Sequence, residues 1–326
     1  MISGFWKQLK KPIFVLAPMA NVTDAAFRRV IAKYGKPDVM WTEFVACDGL
    51  VSAGRDKLLI DFMYSEAERP IVAQIFGSKP ENFYKTALLV QELGFDGIDI
   101  NMGCPDRNVE KQGAGACLIK NPLLAQEIIK ATQRGAGNLP VSVKTRIGYN
   151  KNALSEWLPY LLETEPAAIT VHARTRKEMS AVPAHWEVIR DAVALRDKYD
   201  SSENKTFILG NGDVKNLKDG EEKIKATGAD GVMIGRGIFG NPWLFNPKIS
   251  VENIPIQEKL KVMIEHTYLF EEILVEHKNF DIMKKHYKAY VNGFDGAKEL
   301  RIKLMEGAKT AADVERITLE FLQDLE

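Results

Sequence analysis

Short apolar runs bounded by glycine, proline or asparagine recur along the first three quarters of the chain, at 13–17, 39–43, 71–75, 97–101, 141–145, 168–172, 206–210 and 231–234. Runs of this kind read as strands buried on both faces. Between them lie 25–34, 80–93, 122–135, 152–164, 186–199 and 217–226, each with helical periodicity and long enough to cover a sheet. Eight strands alternating with helices over about 240 residues predict an α/β fold, a closed (β/α)8 TIM barrel rather than an open doubly wound sheet, which usually has fewer strands. After residue 246 the strand-like runs stop, and 256–275, 283–291, 297–305 and 312–325 carry apolar residues at helical spacing. The expected organisation is therefore a barrel over 1–245 followed by a small all-helical domain over 250–326.

The ends of the apolar runs are more informative than their middles. In order they close on Pro18-Met19-Ala20, Glu43, Gln74, Asn101-Met102-Gly103-Cys104-Pro105, Lys144-Thr145-Arg146, His172-Ala173-Arg174, Asn211-Gly212-Asp213 and Gly235-Arg236-Gly237. A parallel barrel opens all its C-terminal strand ends onto one face, so these clusters are expected to converge on a single mouth.

Composition narrows the classes. With 45% hydrophobic and 27% charged residues the chain can build a sizeable core. No apolar run reaches the roughly 18 residues that span a bilayer, and residues 1–11 lack the apolar centre of a signal peptide, which points to a cytoplasmic protein. Cys47, Cys104 and Cys117 form neither an even disulfide framework nor a CxxC zinc spacing, so no metal is expected. The 44 basic and 44 acidic residues cancel, so any nucleic-acid contact must come from a local patch.

Asn211-Gly212-Asp213 and Gly235-Arg236-Gly237 follow the last two strands, where barrels commonly bind phosphate through backbone amides; either cluster alone could equally be a tight turn. Lys144 and Gln74 end buried strands, where a lysine needs a ligand or a partner. A flavin ring would supply the ligand, and an ion pair with Glu43 or another carboxylate at the mouth the partner. Cys104 sits at a strand tip before a loop carrying Gly113 and Gly115, a setting that suits an exposed thiol on a movable loop, although most cysteines are buried and inert. Lys144, Arg146, Arg174, Arg176 and Lys177 form an expected cationic rim for a phosphorylated ligand or a nucleic-acid backbone, or else a solvated charge run. In 283–290, Lys284, Lys285 and Lys288 alternate with His286, Tyr287 and Tyr290; Lys298, Arg301 and Lys303 follow. The pattern fits phosphate binding with base stacking, or a helix solvated on one face and packed on the other.

Taken in order, these motifs, with Val72-Ala73-Gln74-Ile75-Phe76-Gly77, Val143-Lys144-Thr145-Arg146, His172-Ala173-Arg174-Thr175-Arg176 and the stretch from His286-Tyr287 through Gly293 to Arg301, closely resemble the bacterial tRNA-dihydrouridine synthase family. The resemblance implies an FMN enzyme that uses NADPH to reduce the C5=C6 bond of uridine in RNA, with tRNA as partner. Carried over position by position, Pro18, Met19, Ala20, Gln74, Lys144, Asn211, Gly212, Asp213, Gly235 and Arg236 would hold FMN with His172 beside it, and Cys104 would be the general acid. Arg146, Arg174, Arg176, Lys284, Lys285, Lys288 and Arg301 would contact RNA. Asn21 and Ala173 stand where the family often has glycine. Two rival readings are an FMN barrel reductase of a small free pyrimidine, like a dihydroorotate or dihydropyrimidine dehydrogenase, and a non-catalytic RNA-binding protein on a decayed barrel.

Overall fold

In a computed structural model, which describes residues 4–199 and 205–324, each of the eight apolar runs is a strand: β1 (Ile13–Leu16), β2 (Met40–Ala46), β3 (Ile71–Phe76), β4 (Gly97–Met102), β5 (Val141–Arg146), β6 (Ala168–His172), β7 (Phe207–Asn211) and β8 (Gly231–Ile234). All pairings are parallel, with β1 beside β8 and the order continuing down to β2. The ring closes through a bridge between Val15 and Val39 and the bond from the Leu16 N–H to the Val39 carbonyl, 3.2 Å. The expected ends shift by one residue at β1, β3, β4, β5 and β7 and by three at β2, which runs past Glu43 to Ala46 with a bulge between Trp41 and Phe44 that shifts its register against β3.

Helices α1 (Ala25–Tyr34), α2 (Pro80–Glu92), α3 (Pro122–Ala136), α4 (Leu154–Leu162), α5 (Glu187–Tyr199) and α6 (Leu217–Thr227) cover the barrel. Their starts follow from local chemistry. Asp24 caps α1 by accepting the Phe27 N–H at 3.0 Å, Asn216 caps α6 through the Asp219 N–H at 2.9 Å, and α2 and α3 begin with proline. Short helical turns take the place of a covering helix between β2 and β3.

Alternation along the strands sorts side chains into two layers. Ile98, Ile100, Val141, Val143, Ile169 and Ile208 face the helices and join the main core. Inward positions form a separate apolar cluster that includes Ile13, Val15, Trp41, Val72, Leu209 and Met233. Trp6, 1% exposed, joins this cluster from the N-terminal turn and meets Phe207 with ring centroids 5.6 Å apart. Burying that indole contributes about 3 kcal/mol. Toward the strand ends the inward positions become polar, at Gln74, Asp99, Asn101, Ser142, Lys144, His172 and Asn211. The change from an apolar floor to a polar upper layer places the site at the mouth.

After β8, helices α7 (Ile256–Leu274), α8 (Lys284–Tyr290), α9 (Ala297–Gly307) and α10 (Ala311–Gln323) build a second core around Leu260, Met263, Phe270, Tyr287, Leu300 and Val314. A capping box between Thr310 and Asp313 starts α10; Leu325, in the segment expected to be this helix, lies outside the described residues. Ala26 and Val30 of α1 and Trp243 belong to the second core, so the helical segment is anchored on the barrel's first helix. Among the described residues no helix is long and apolar enough to cross a membrane.

Candidate active site

A cleft of about 650 Å3 opens at the mouth, and Pro18, Met19, Lys144, His172, Asn211 and Arg236 line it together with Gly212, Asp213 and Gly235. Ala20 is exposed outside this lining, and Gln74 is fully buried in the barrel. The cleft therefore brings together most of the residues expected to hold a cofactor. Gly212 has φ +125°, and a Cβ there would come 2.9 Å from that of Ala184 and 3.2 Å from the His172 ring, so only glycine fits. The next residue, Asp213, accepts hydrogen bonds from Arg174, from Arg236 at 2.6 Å and from the Ala184 N–H at 3.0 Å. Burial, then the nearby cations, push His172 well below the ordinary imidazole range, leaving it neutral. Lys144, Arg174 and Arg236 line the cleft with Asp213 as the one carboxylate among the described lining residues, and the cleft wall carries an excess of positive charge suited to an anionic ligand.

Lys144 donates to the Asn211 Oδ1 at 3.2 Å. Burial, followed by the neighbouring Arg146, pushes its pKa down to about 8, with Asp99 and Cys104 opposing. The alternative pairing with Glu43 is not formed. Glu43 instead accepts the Lys278 ammonium and the Asn21 N–H, and among the described residues no carboxylate forms an ion pair with Lys144. Asn21 has φ +53°, the left-handed region where glycine is favoured and asparagine is among the few other residues tolerated.

Across the mouth, buried side chains lead to Cys104. Asp99 accepts the Ser142 hydroxyl and the Gln74 Nε2, each at 2.6 Å. Gln74 Oε1 accepts the Asn101 Nδ2 at 3.1 Å. Asn101 Oδ1 in turn accepts the backbone N–H groups of Gly103 (3.1 Å) and Cys104 (2.9 Å). The loop then folds back at Gly115, φ +62°, where a Cβ would lie 2.7 Å from the Cys104 carbonyl oxygen. Cys104 is half-buried against Phe76, Val109 and Ala114 rather than openly exposed as expected, because the returning loop covers it. Burial pushes its thiol pKa up, so the proton is retained at neutral pH.

The expected cationic rim is largely committed to internal contacts. Arg146 is buried and donates to the carbonyls of Gly103 (2.7 Å), Thr175 (3.0 Å) and Met179 (3.1 Å). Arg174 is 2% exposed; besides Asp213 it bonds the Val182 carbonyl at 2.6 Å. Arg176 grips Glu110 with both ends of its guanidinium. Lys177 is exposed. These arginines fasten loops that a sequence cannot show to be adjacent. In the helical segment Lys285 and Lys288 are exposed, Lys284 pairs with Asp281 at 2.8 Å, and Arg301 donates to the Val291 carbonyl at 2.7 Å. His286, Tyr287 and Tyr290 are buried in the second core or against it, so they are not placed to stack on bases.

Asp99 and Ser142 were not singled out in the sequence, yet Asp99 stands two positions before Asn101 in one strand and so shares its inward face. Ser180 and Met233 also line the cleft without a motif to mark them. Among the described residues no group of three or more His, Cys, Asp or Glu is placed to hold a metal ion.

The profile of the family described as "Dihydrouridine synthase (Dus)" matches residues 15–326. The chain is 42% identical over 313 residues to "Probable tRNA-dihydrouridine synthase 2" of Bacillus subtilis (strain 168), covering 95% of this chain and 94% of that protein. It is 41% identical over 324 residues to "Probable tRNA-dihydrouridine synthase" of Staphylococcus aureus (strain MRSA252), covering 98% and 96%. Among solved structures, morphinone reductase superposes with a TM-score of 0.53 at 12% identity, over 75% of this chain and 88% of that one. A variant of NCR from Zymomonas mobilis gives 0.52 at 15% identity, over 76% and 91%. These structural likenesses concern the barrel fold.

Proposed function

The chain belongs to the dihydrouridine synthase family, and from that premise we propose that it reduces the C5=C6 bond of uridine in tRNA to 5,6-dihydrouridine, with FMN as cofactor and NADPH as reductant. The observation that carries this reading is the pairing of a cleft wall rich in positive charge with a nearby thiol that burial keeps protonated.

The residues present fit FMN. Arg236 and the loop backbones at Gly212 and Gly235 suit its phosphate; Lys144 suits the electron-rich edge of its ring, with Asn211, neutral His172, Pro18, Met19 and Ala20 around it. Gln74 lies outside the cleft lining with both ends of its amide bonded to Asp99 and Asn101, so it supports the site rather than meeting the ligand. Asp213 acts by holding Arg174 and Arg236 in place rather than by touching an anion. Bound FMN would supply the hydride that adds to C6 of the uracil. Cys104 delivers the proton to C5; its raised pKa keeps the acid form populated, and Asn101 fixes the backbone that carries it. A base stacked in a helix cannot enter this mouth, so the target uridine must be extruded or already unpaired. The exposed Lys285 and Lys288, with Lys284 and Arg301 beside them, attract the RNA backbone from the helical segment.

The reading is tested by mapping dihydrouridine across all RNA from cells with and without this protein. Loss of the modification at defined tRNA positions is expected. Unchanged tRNA, with purified protein reducing only free uracil, would contradict it.

A further inference from the structure

We propose that Asp99 is a positioning residue that sets the direction of a side-chain amide relay running through Gln74 and Asn101 to the backbone of Cys104. The inference rests on the reading of Cys104 as the acid and adds the group that orients its loop.

The argument is one of donors and acceptors. A carboxylate only accepts, and Asp99, fully buried, accepts from Ser142 and from the Gln74 Nε2. With its nitrogen turned to Asp99, Gln74 can offer Asn101 only its carbonyl oxygen, and Asn101 Nδ2 donates to it. Asn101 Oδ1 is thereby left facing the N–H groups of Gly103 and Cys104, the one orientation in which that side chain can hold the loop. Gln74 and Asn101 are themselves buried, so water does not offer a substitute partner.

An amide is symmetric in shape and opposite in polarity at its two ends, so the relay can be reversed from its origin. In Asp99→Asn one oxygen replaces two and can no longer accept from both Ser142 and Gln74; where it keeps the Ser142 hydroxyl, the new amide nitrogen donates to Gln74. Gln74 then turns its own nitrogen toward Asn101, and Asn101 presents NH2 to two backbone N–H groups that it cannot bind. In Asp99→Asn/Gln74→Glu the polarity is restored. Residue 99 donates to the new carboxylate and still accepts from Ser142, the carboxylate still accepts from Asn101, and the net charge is unchanged.

The test uses the full-length chain without flavin or RNA and follows alkylation of Cys104 by iodoacetamide at one fixed pH, with peptide mass spectrometry separating it from Cys47 and Cys117. Asp99→Asn is expected to speed alkylation roughly tenfold, the weight of one net hydrogen bond, as the covering loop loosens. The double variant is expected to return to within about twofold of wild type, inside the usual error of additivity. An unchanged rate in both Asp99→Asn and Asp99→Leu, the second of which leaves Gln74 no acceptor at residue 99, overturns the proposal, as does a faster rate in Asp99→Asn that Gln74→Glu does not restore, since packing or charge alone would then account for it. Should Asp99→Asn not fold, the relay predicts that the double variant does, and a double variant that also fails to fold overturns it. Because the readout needs neither cofactor nor RNA, its failure leaves the proposed activity standing, and failure of that activity leaves this result interpretable.

Discussion

On the side of the mouth formed by β5, β7 and β8, Lys144, Arg236 and Asp213 border an open cleft with an excess of positive charge, whereas on the side formed by β3 and β4, Gln74, Asp99 and Asn101 are enclosed and bonded to one another. The first arrangement keeps charge available for a ligand. The second fixes a backbone and leaves little for a ligand to take. An open, charge-rich wall therefore binds, and a closed, satisfied network positions; a substitution on each side should fail in a different way.

The largest effect on stability is expected at Arg146, whose removal leaves the Gly103, Thr175 and Met179 carbonyls without their donor. Arg146→Ala should cost about 3 kcal/mol or more by denaturant titration, the range for stranding buried polar groups; a loss confined to RNA affinity would return Arg146 to the rim. Arg236 is 64% exposed in its side chain. Arg236→Ala should weaken FMN binding about tenfold or more by fluorescence titration, as expected for a charge-assisted contact, with little change in unfolding.

The pH dependence of flavin binding sharpens the same contrast. Lys144, with its pKa pushed down to about 8, is charged below that pH and loses its proton above it. An electron-rich ligand favours the charged form, so affinity should be flat at lower pH and fall as pH rises through about 8, by at most about tenfold per unit for one linked proton. Lys144→Met should abolish that fall. The smallest effect is expected outside the mouth. Replacing Lys284, Lys285 and Lys288 together by alanine should reduce RNA affinity severalfold and lower the salt slope by about two, as for three phosphate contacts, while flavin reduction by NADPH is unchanged. An unaltered slope would place RNA binding elsewhere.

Much of this was legible in the sequence. Parallel strands buried on both faces read as continuous apolar runs, so the eight strands and the gathering of their ends could be anticipated, with only the bulged β2 ending more than one residue from its expected end. Less legible was what each charge does. Arg146, Arg174 and Arg176 look like a surface rim until their partners, distant in sequence, are seen to lie beside them. Tyr287 and Tyr290 fit either base stacking or a packed face, because spacing alone does not say which face of a short helix packs. Asp99 reads as one polar residue within an apolar run, although its alternation with Asn101 assigns it to the barrel interior.

The division between the two sides is tested most directly by Cys104→Ala, assayed with NADPH and an unmodified tRNA transcript while its flavin absorbance is recorded. The account predicts flavin bound as in the wild type and dihydrouridine formation reduced by about a hundredfold or more, the weight of a positioned general acid. Undiminished dihydrouridine formation, or loss of the flavin together with activity, would contradict it.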